Sequence, residues 1–188
     1  MSRVQTVQED QAPAEVQEIY NKIQDNGAKI INLYKTLAYN HRIFRDFLKL
    51  GNTLLSKTEL SPKLRELAIL RIAKLAGSEY EWTQHYPVAM EVGVSPEQAE
   101  TILNWSGSKN FNDEECAVLQ YTDEVAQNVK VKDETFRTLQ QHLNDRKIVE
   151  LTVSIGYWGM VARLLEALQV DIDDQSVSSV QELFGSKS

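Results

Sequence analysis

Two glutamates and one histidine in the middle of the chain carry the side chains best suited to proton transfer. On a helix over residues 62–76, Glu66 falls on an apolar face, and on a helix over residues 79–92, His85 does the same. Glu81 lies one turn before His85, so their side chains can touch. Because an isolated buried charge is costly, such groups must be paired, hydrogen-bonded or neutral. If the two helices pack together, the three groups form one acid–base cluster.

Each member of this cluster also has a structural interpretation. A histidine beside a carboxylate can shuttle a proton near neutral pH, but a lone histidine on an apolar face is also a common core residue. Gly77 suits the position after a helix end and Ser78 suits an N-cap. Glu81 then completes a capping box, in which its carboxylate bonds to the backbone instead of doing chemistry. Both interpretations of His85 and of Glu81 stay open.

Helical periodicity dominates the sequence, and two-residue alternation is scarce, which predicts an all-α fold. Ser95 to Gln98 and Asn112 to Glu115 have the spacing of capping boxes. The predicted helices span 14–25, 28–38, 41–55, 62–76, 79–92, 96–104, 113–129, 133–142 and 146–168. A loop is expected at residues 104–110. The polar tail from Asp171 is expected to be either a mobile end or a short docking helix.

Two of these helices have distinctive faces. The first, over 62–76, carries a mostly charged stripe that is predicted to face water, and the stripe consists of Lys63, Leu67, Arg71 and Lys74. The last helix is apolar almost all round from Ile148 to Leu168, which predicts a central position or a subunit interface. Its Tyr157 and Trp158 could line a pocket.

Composition limits the classes of function. The 188 residues carry a net charge of −7 and a pI near 5.1, which argues against nucleic acid as a partner. The single cysteine, Cys116, cannot form a disulfide within one chain, and this fits a reducing cytosol. The longest uncharged apolar-rich run, Leu151–Ala162, is shorter than the ~20 residues that span a bilayer. We therefore expect one cytoplasmic domain over residues 1–188, with no membrane partner.

Other sites of chemistry lack the required residues. Glu81 and His85 could offer two ligands to a metal, but no third ligand has convincing spacing, and His41 and His142 are remote in sequence. The sequence contains no glycine-rich phosphate loop. Cys116 is most simply a small core residue. Neither a metal nor a cofactor is predicted.

The segment Leu60–Gln98, LSPKLRELAILRIAKLAGSEYEWTQHYPVAMEVGVSPEQ, resembles the carboxymuconolactone decarboxylase and alkylhydroperoxidase D-like family. Residues 32–55 and 148–168 are similar to the first and last parts of that family, so the resemblance covers most of the chain. It implies a helical alkylhydroperoxidase D-like orthogonal bundle with a family core at about 30–170. It also implies a cofactor-free homo-oligomer, commonly a trimer or a hexamer.

The redox branch of this family has a glutamate, eleven residues, Cys-x-x-Cys, three residues and a histidine. In this sequence those positions fall on Glu66, Ser78, Glu81 and His85, and both thiols are missing. Peroxide reduction by that route needs one thiolate to attack and a second thiol to resolve the product. Cys116 lies outside the motif, so the resemblance argues against an alkylhydroperoxidase or peroxiredoxin-like activity here.

The thiol-less decarboxylase branch implies a cofactor-free lyase or proton-transfer enzyme acting on a small carboxylated lactone or keto acid. In that interpretation His85 is the acid and Glu66 orients it or relays the proton. Glu81 tunes the pKa of His85 or orients the substrate.

Tyr80, Trp82 and Arg71 are candidate substrate-binding residues, although Lys74 and Arg163 are alternative cations for the substrate carboxylate. The remaining alternative is a non-catalytic helical oligomer whose polar groups are structural.

Overall fold

The structure is a computed structural model, and it describes residues 2–174 together with Ser179 and Glu182. In these residues it contains nine α-helices and no strand, which confirms the predicted all-α class. The helices are α1 (Ala14–Asp25), α2 (Asn32–Leu37), α3 (His41–Ser56), α4 (Pro62–Ala76), α5 (Glu79–Glu91), α6 (Pro96–Thr101), α7 (Asp113–Asn128), α8 (Asp133–Gln140) and α9 (Asp145–Leu168). Most of the polar tail predicted from Asp171 lies outside the described residues.

The helix ends follow the local sequence signals. Ser95 and Gln98 form a reciprocal capping box at the start of α6, and Asn112 and Glu115 form another at the start of α7. Gly77 ends α4 in the left-handed conformation, at φ 67°, where a residue with a Cβ would be strained.

Two predictions at helix ends were inaccurate. Helix α2 starts at Asn32 instead of residue 28. Most of the loop expected at 104–110 belongs to a 3₁₀ segment, Ile102–Gly107, which follows α6 directly.

Helix α4 lies at the centre of the bundle, packed against α5, α7 and α9. The prediction that its charged stripe faces water is therefore wrong. Leu67 is fully buried, Arg71 is buried, and the ammonium of Lys63 pairs with the buried carboxylate of Glu115 at 2.6 Å. Lys63 and Lys74 keep partly exposed side chains, and Lys74 lies over the Trp82 ring and 3.9 Å from the Glu79 carboxylate.

Helix α9 is central as predicted, and it contacts α3, α4, α5, α7 and α8. The helix has 24 residues, so it is much longer than the uncharged run inside it. Among the described helices it is the one that is long and apolar enough to cross a membrane, and 56% of its apolar stretch is buried inside the protein. A core helix gives the same result, because burial on most sides also selects an apolar sequence.

Candidate active site

A small cavity of about 40 Å³ lies where α2, α3, α5 and α9 meet, and we call it the central cavity. Most of its lining is apolar or aromatic. Eight lining residues have side chains that carry a polar atom: Tyr34, Asn52, Tyr80, Glu81, Gln84, His85, Tyr157 and Trp158. The cavity is about a quarter of the size of the ~150 Å³ engineered cavity that holds benzene. Only a small head group can enter it unless the walls move.

The predicted pair of Glu66 and His85 meets beside this cavity. The Nδ1 atom of His85 lies 2.8 Å from Oε2 of Glu66, and both side chains are buried. The indole Nε1–H of Trp158 donates to Nε2 of His85 at 3.1 Å. Helices α4, α5 and α9 thus each contribute one member of a hydrogen-bonded chain, and the prediction that Trp158 could line a pocket is confirmed.

These contacts assign the tautomer of His85. An indole nitrogen is only a donor, so Nε2 of His85 must accept with its lone pair. The proton of the neutral ring therefore lies on Nδ1 and is donated to the Glu66 carboxylate. In this arrangement His85 has a basic nitrogen at Nε2 and no proton to give there. The geometry thus presents Nε2 of His85 as a proton acceptor, whereas the family resemblance implied an acid at this position.

Arg65 supports the carboxylate of Glu66 from the other side. Its Nε atom lies 3.5 Å from Oε1 of Glu66, and one terminal nitrogen donates to the carbonyl of Leu54. Burial lowers the pKa of Arg65, and the negative charge of Glu66 opposes that shift. The Glu66 carboxylate therefore lies between two nitrogen groups, 3.5 Å from Nε of Arg65 and 2.8 Å from Nδ1 of His85.

Glu81 differs from Glu66 because no described group bonds to it. Its side chain is 1% exposed, and neither carboxyl oxygen has a hydrogen-bond partner. Burial raises its pKa well above the ordinary value of 4.5, and the charges of Glu66 and Glu166 raise it further. The carboxyl in the cavity wall therefore favours its neutral, proton-carrying form.

The capping-box interpretation of Glu81 is wrong. The hydroxyl of Ser78 makes no cap bond to the backbone of α5, and its Oγ atom is buried without a partner. A capping box needs the Glu81 carboxylate to accept from the Ser78 backbone N–H. That N–H instead donates to the carbonyl of Ala73 at 2.8 Å. Glu81 is left to face the cavity.

The start of the C-terminal tail joins two further cavity residues. Asp173 accepts from the Tyr80 hydroxyl at 2.5 Å and from Nε2 of Gln84 at 2.8 Å. Its other oxygen accepts from the backbone N–H of Asn32 at 2.7 Å. Tyr80, a predicted substrate-binding residue, lies in the cavity wall, and its hydroxyl is committed to Asp173. Burial and this neighbouring carboxylate raise the Tyr80 pKa well above 10.

Two predicted substrate-binding residues lie elsewhere. Arg71 forms a forked ion pair with Asp123 on α7 and donates to the carbonyls of Ile102 and Leu103, so its guanidinium is occupied on the far side of α4. Trp82 is half-buried, packs against Tyr86 and receives Lys74 over its ring at 3.8 Å. Neither lines the central cavity. Arg71 was misplaced because periodicity identifies a face of α4 but not the helix packed on it.

A larger surface groove of about 390 Å³ lies next to the central cavity, between α1 and α3. The two spaces share Tyr34, Leu48 and Asn52 as lining residues, so these three form the boundary between them. We call this space the α1–α3 groove, and both signs of charge line it: Lys22 and Arg45 contribute cations, and Glu15 and Glu18 contribute carboxylates. It can hold the part of a molecule that the central cavity is too small to admit.

Sequence reasoning missed Arg65, Gln84 and Asp173. Gln84 is three residues after Glu81, so the two lie on the same side of α5, and helical spacing could have identified Gln84 from the sequence. Asp173 gave no signal, because its partners lie about 90 residues away in sequence. Among the described residues, no group of three or more histidine, cysteine or acidic side chains is arranged to hold a metal.

Comparison with known proteins supports the resemblance seen in the sequence. Residues 42–124 match the sequence profile of the carboxymuconolactone decarboxylase family. This range contains Glu66, Glu81 and His85, and the resemblance predicted from the sequence is thereby confirmed. No curated protein matches the chain.

Solved structures share the fold over nearly the whole chain. A peroxidase-related protein from Ralstonia eutropha JMP134, described as an alkylhydroperoxidase AhpD core, has a TM-score of 0.80 at 18% identity and covers 92% of this chain and 93% of that chain. A peroxidase-related protein from Silicibacter sp. TM1040 has a TM-score of 0.76 at 18% identity, with 90% and 92% covered. A variant of the debrominase Bmp8, bound to 2,3,4-tribromopyrrole, has a TM-score of 0.77 at 17% identity, with 93% and 95% covered. At these identities the likeness shows the fold alone.

Proposed function

We propose that this chain, which matches the carboxymuconolactone decarboxylase family over residues 42–124, is a cofactor-free proton-transfer enzyme in which His85 accepts a proton and Glu81 donates one. One observation carries the proposal. A buried carboxyl with no partner and a raised pKa lines the same small cavity as a histidine whose Nε2 is held unprotonated. A proton-carrying carboxyl and an imidazole nitrogen that accepts a hydrogen bond, placed in one cavity, can serve as an acid and base pair.

The reaction that this pair supports best is enolisation of a carbonyl compound. Nε2 of His85 leaves the Trp158 indole and takes a proton from the carbon next to the carbonyl. The electron pair of that C–H bond forms the carbon–carbon double bond, and the carbonyl oxygen takes the proton of Glu81. Return of a proton to the same or another carbon gives the product and restores both side chains. Glu66 stabilises the protonated His85 between the two steps.

The charges around the central cavity limit which part of the substrate can enter it. No lysine or arginine side chain is among the described residues that line the central cavity, and Glu66 lies directly behind His85. A carboxylate placed there would lose its water and meet negative charge without a cation. The head group in the cavity is therefore an uncharged lactone or ketone. Any carboxylate of the substrate lies in the α1–α3 groove, beside Lys22 and Arg45.

This arrangement narrows the substrates that the family resemblance implied. A lactone or keto acid with a remote carboxylate fits, whereas an α-keto acid brings its carboxylate into the cavity and does not fit. The same restriction makes enolisation a better-supported reaction than loss of CO₂, which also requires a carboxylate beside the reacting carbon.

A thiol-dependent peroxidase activity is poorly supported. The two positions where redox relatives have cysteines hold Ser78 and Glu81. Burial raises the pKa of the Cys116 thiol, and the nearby Asp113 and Glu115 add to this shift. Cys116 does not line the central cavity, and its Sγ lies near the carbonyl of Phe111. It therefore has neither the charge state nor the position for attack on a peroxide at this site.

Deuterium exchange tests the proposal without knowledge of the natural substrate. The wild-type protein is incubated in D₂O with cyclopentanone, γ-butyrolactone or pyruvate, and loss of the α-proton signal is followed by NMR. We expect catalysed exchange of cyclopentanone or the lactone and a much lower rate with pyruvate. Glu81→Gln and His85→Gln should each lower the exchange rate about 100-fold.

The matched control is Glu79→Gln, which makes the same change at a largely exposed position of α5. It should keep the wild-type exchange rate. The proposal fails if none of the three compounds exchanges faster with the protein than without it. It also fails if His85→Gln, correctly folded, exchanges as fast as the wild type.

We also propose that the chain assembles as a homo-oligomer, as the family resemblance implied. Support comes from α9, where Val149, Val153 and Met160 are exposed at spacings that bring them to one side of the helix. Sedimentation velocity on the wild type and on Val153→Glu tests this. A wild-type protein that sediments as a monomer at micromolar concentration would contradict it.

A further inference from the structure

Gln84 carries a hydrogen-bond acceptor that nothing described in the protein satisfies. Its side chain is 2% exposed, it lines the central cavity, and its Oε1 atom has no partner. The neighbouring Glu81 does not supply one, because neither of its oxygens makes a hydrogen bond. A buried amide oxygen without a donor is unfavourable, so a site that keeps one is complementary to a ligand that brings the donor.

The orientation of the Gln84 amide follows from its neighbour Asp173. The Tyr80 hydroxyl accepts from the Leu33 backbone N–H at 3.1 Å, so its single proton goes to Asp173. Asp173 also accepts from the Asn32 backbone N–H. A carboxylate has no proton to donate, and therefore the Gln84 atom that faces it must be the NH₂ group. The amide oxygen is held on the other side of the group.

We propose that Gln84 is a specificity-determining residue, whose amide oxygen accepts a hydrogen bond from an N–H or O–H group adjacent to the reacting carbonyl of the substrate. The inference rests on the proposed function, because that function places the carbonyl at Glu81. Glu81 and Gln84 are three residues apart on α5, so a carbonyl at one and a donor at the other belong to neighbouring atoms of one small molecule. A lactam, a secondary amide or a hydroxyketone has this pattern. Of the head groups that the proposed function admits, a ketone with a neighbouring hydroxyl is therefore bound more tightly than a simple lactone, which lacks the donor.

Asp173 is the positioning residue for this recognition. It acts on the donor group of the ligand through Gln84, by fixing which end of the amide faces the cavity. The same carboxylate holds Tyr80 and the start of α2, so the first residues of the C-terminal tail help to form the cavity wall. The tail predicted from Asp171 as a mobile or docking end thus has at least one residue with a defined place at the site.

Binding of two nearly isosteric rings tests the proposal. 2-Pyrrolidone has a ring N–H beside its carbonyl, and γ-butyrolactone has a ring oxygen at the same place. Each is titrated into the ¹⁵N-labelled protein, and the indole N–H signal of Trp158 reports occupancy because this group lies in the cavity wall. We expect the wild type to bind the lactam about fivefold more tightly than the lactone, as for one additional hydrogen bond.

Gln84→Met keeps the length of the side chain and removes the amide. It should bring the ratio of the two dissociation constants close to one. The matched control is Gln127→Met, which makes the same change at an exposed position of α7 and should keep the wild-type ratio. Asp173→Asn is an independent variant. The NH₂ group of the new asparagine can donate to the Gln84 amide oxygen. The Gln84 amide then turns its NH₂ group toward the cavity, and the preference for the lactam should be lost.

The inference is overturned if the wild type binds both rings equally, or neither of them at tens of millimolar. It is also overturned if Gln84→Met and Asp173→Asn, both folded, keep the full preference. These outcomes are distinct from failure of the proposed function, which is measured by exchange and not by binding. A protein that prefers the lactam but catalyses no exchange would retain this recognition and lose the catalytic role of Glu81 and His85.

Discussion

The substitution Glu81→Gln replaces the unpaired carboxyl of the central cavity by a neutral amide of nearly the same size. In the wild type, burial and the charge on Glu66 keep this carboxyl protonated to well above pH 4.5, while in the unfolded chain it ionises near that value. Unfolding therefore releases a proton in the pH range between the two pKa values. The variant has no proton to release at this position.

The sign and the size of the effect follow from proton linkage. Because the folded pKa is raised, the contribution of Glu81 to stability is fully present below pH 4.5 and is lost as the pH rises toward the folded pKa. One proton per molecule corresponds to about 1.4 kcal/mol for each pH unit in this range. The free energy of unfolding of Glu81→Gln, minus that of the wild type, should grow by this amount per unit and level off above the folded pKa.

Urea unfolding followed by circular dichroism, at several pH values from 4.5 to 8.5, measures this difference. Taking variant minus wild type cancels the other groups that titrate over the same range. Glu79→Gln is the control, since its carboxylate is 72% exposed and its difference curve should be nearly flat. A flat curve for Glu81→Gln, or one that falls with pH, would refute the reasoning. Either result would mean that the folded protein holds Glu81 ionised.

Three further predictions concern stability and are checked by urea unfolding at neutral pH. Gly51→Ala should destabilise the protein by about 1–2 kcal/mol, because the new Cβ would lie 2.5 Å from the Tyr157 hydroxyl, whereas Gly156→Ala has open space and should stabilise by about 0.5–1 kcal/mol. Equal effects of these two helical substitutions would contradict the packing of α3 on α9. Ser78→Ala should leave stability unchanged or raise it by up to about 1 kcal/mol, because the buried hydroxyl makes no cap bond. A loss of about 1 kcal/mol in stability would restore the capping interpretation. Arg71→Met should lower stability by about 3 kcal/mol, because Asp123 loses its cation and keeps only the hydrogen bond from the Trp105 indole. The deuterium exchange rate should stay at the wild-type value, and a loss of exchange in the folded variant would return Arg71 to the site.

Local signals in the sequence determined the helical framework. The capping boxes at Ser95 and Asn112 set the starts of α6 and α7, and Gly77 set the end of α4. These features depend on residues within about four positions of one another, so the sequence contains them directly. The same holds for the missing thiols at Ser78 and Glu81, since the side-chain type alone rules out disulfide chemistry there.

Helical spacing also brought out Glu66 and His85 as polar residues on apolar faces, and the two do meet at 2.8 Å. It failed for Arg71 because α4 is covered on nearly all sides, and a period of 3.6 residues does not show how many faces are buried. Short-range spacing likewise could not decide the role of Glu81, because the same residues at the same spacing can form a capping box or place a carboxyl in a cavity.

Only the tertiary structure decided the protonation pattern of the site. The indole of Trp158, 73 residues away from His85, fixes which imidazole nitrogen is basic, and Asp173, 89 residues from Gln84, fixes which end of the amide faces the cavity. Glu81 favours its protonated form because the fold buries its carboxyl and gives neither oxygen a hydrogen-bond partner. The residue types were in the sequence, but a pKa and a tautomer depend on neighbours in space, and those are set by how the helices pack.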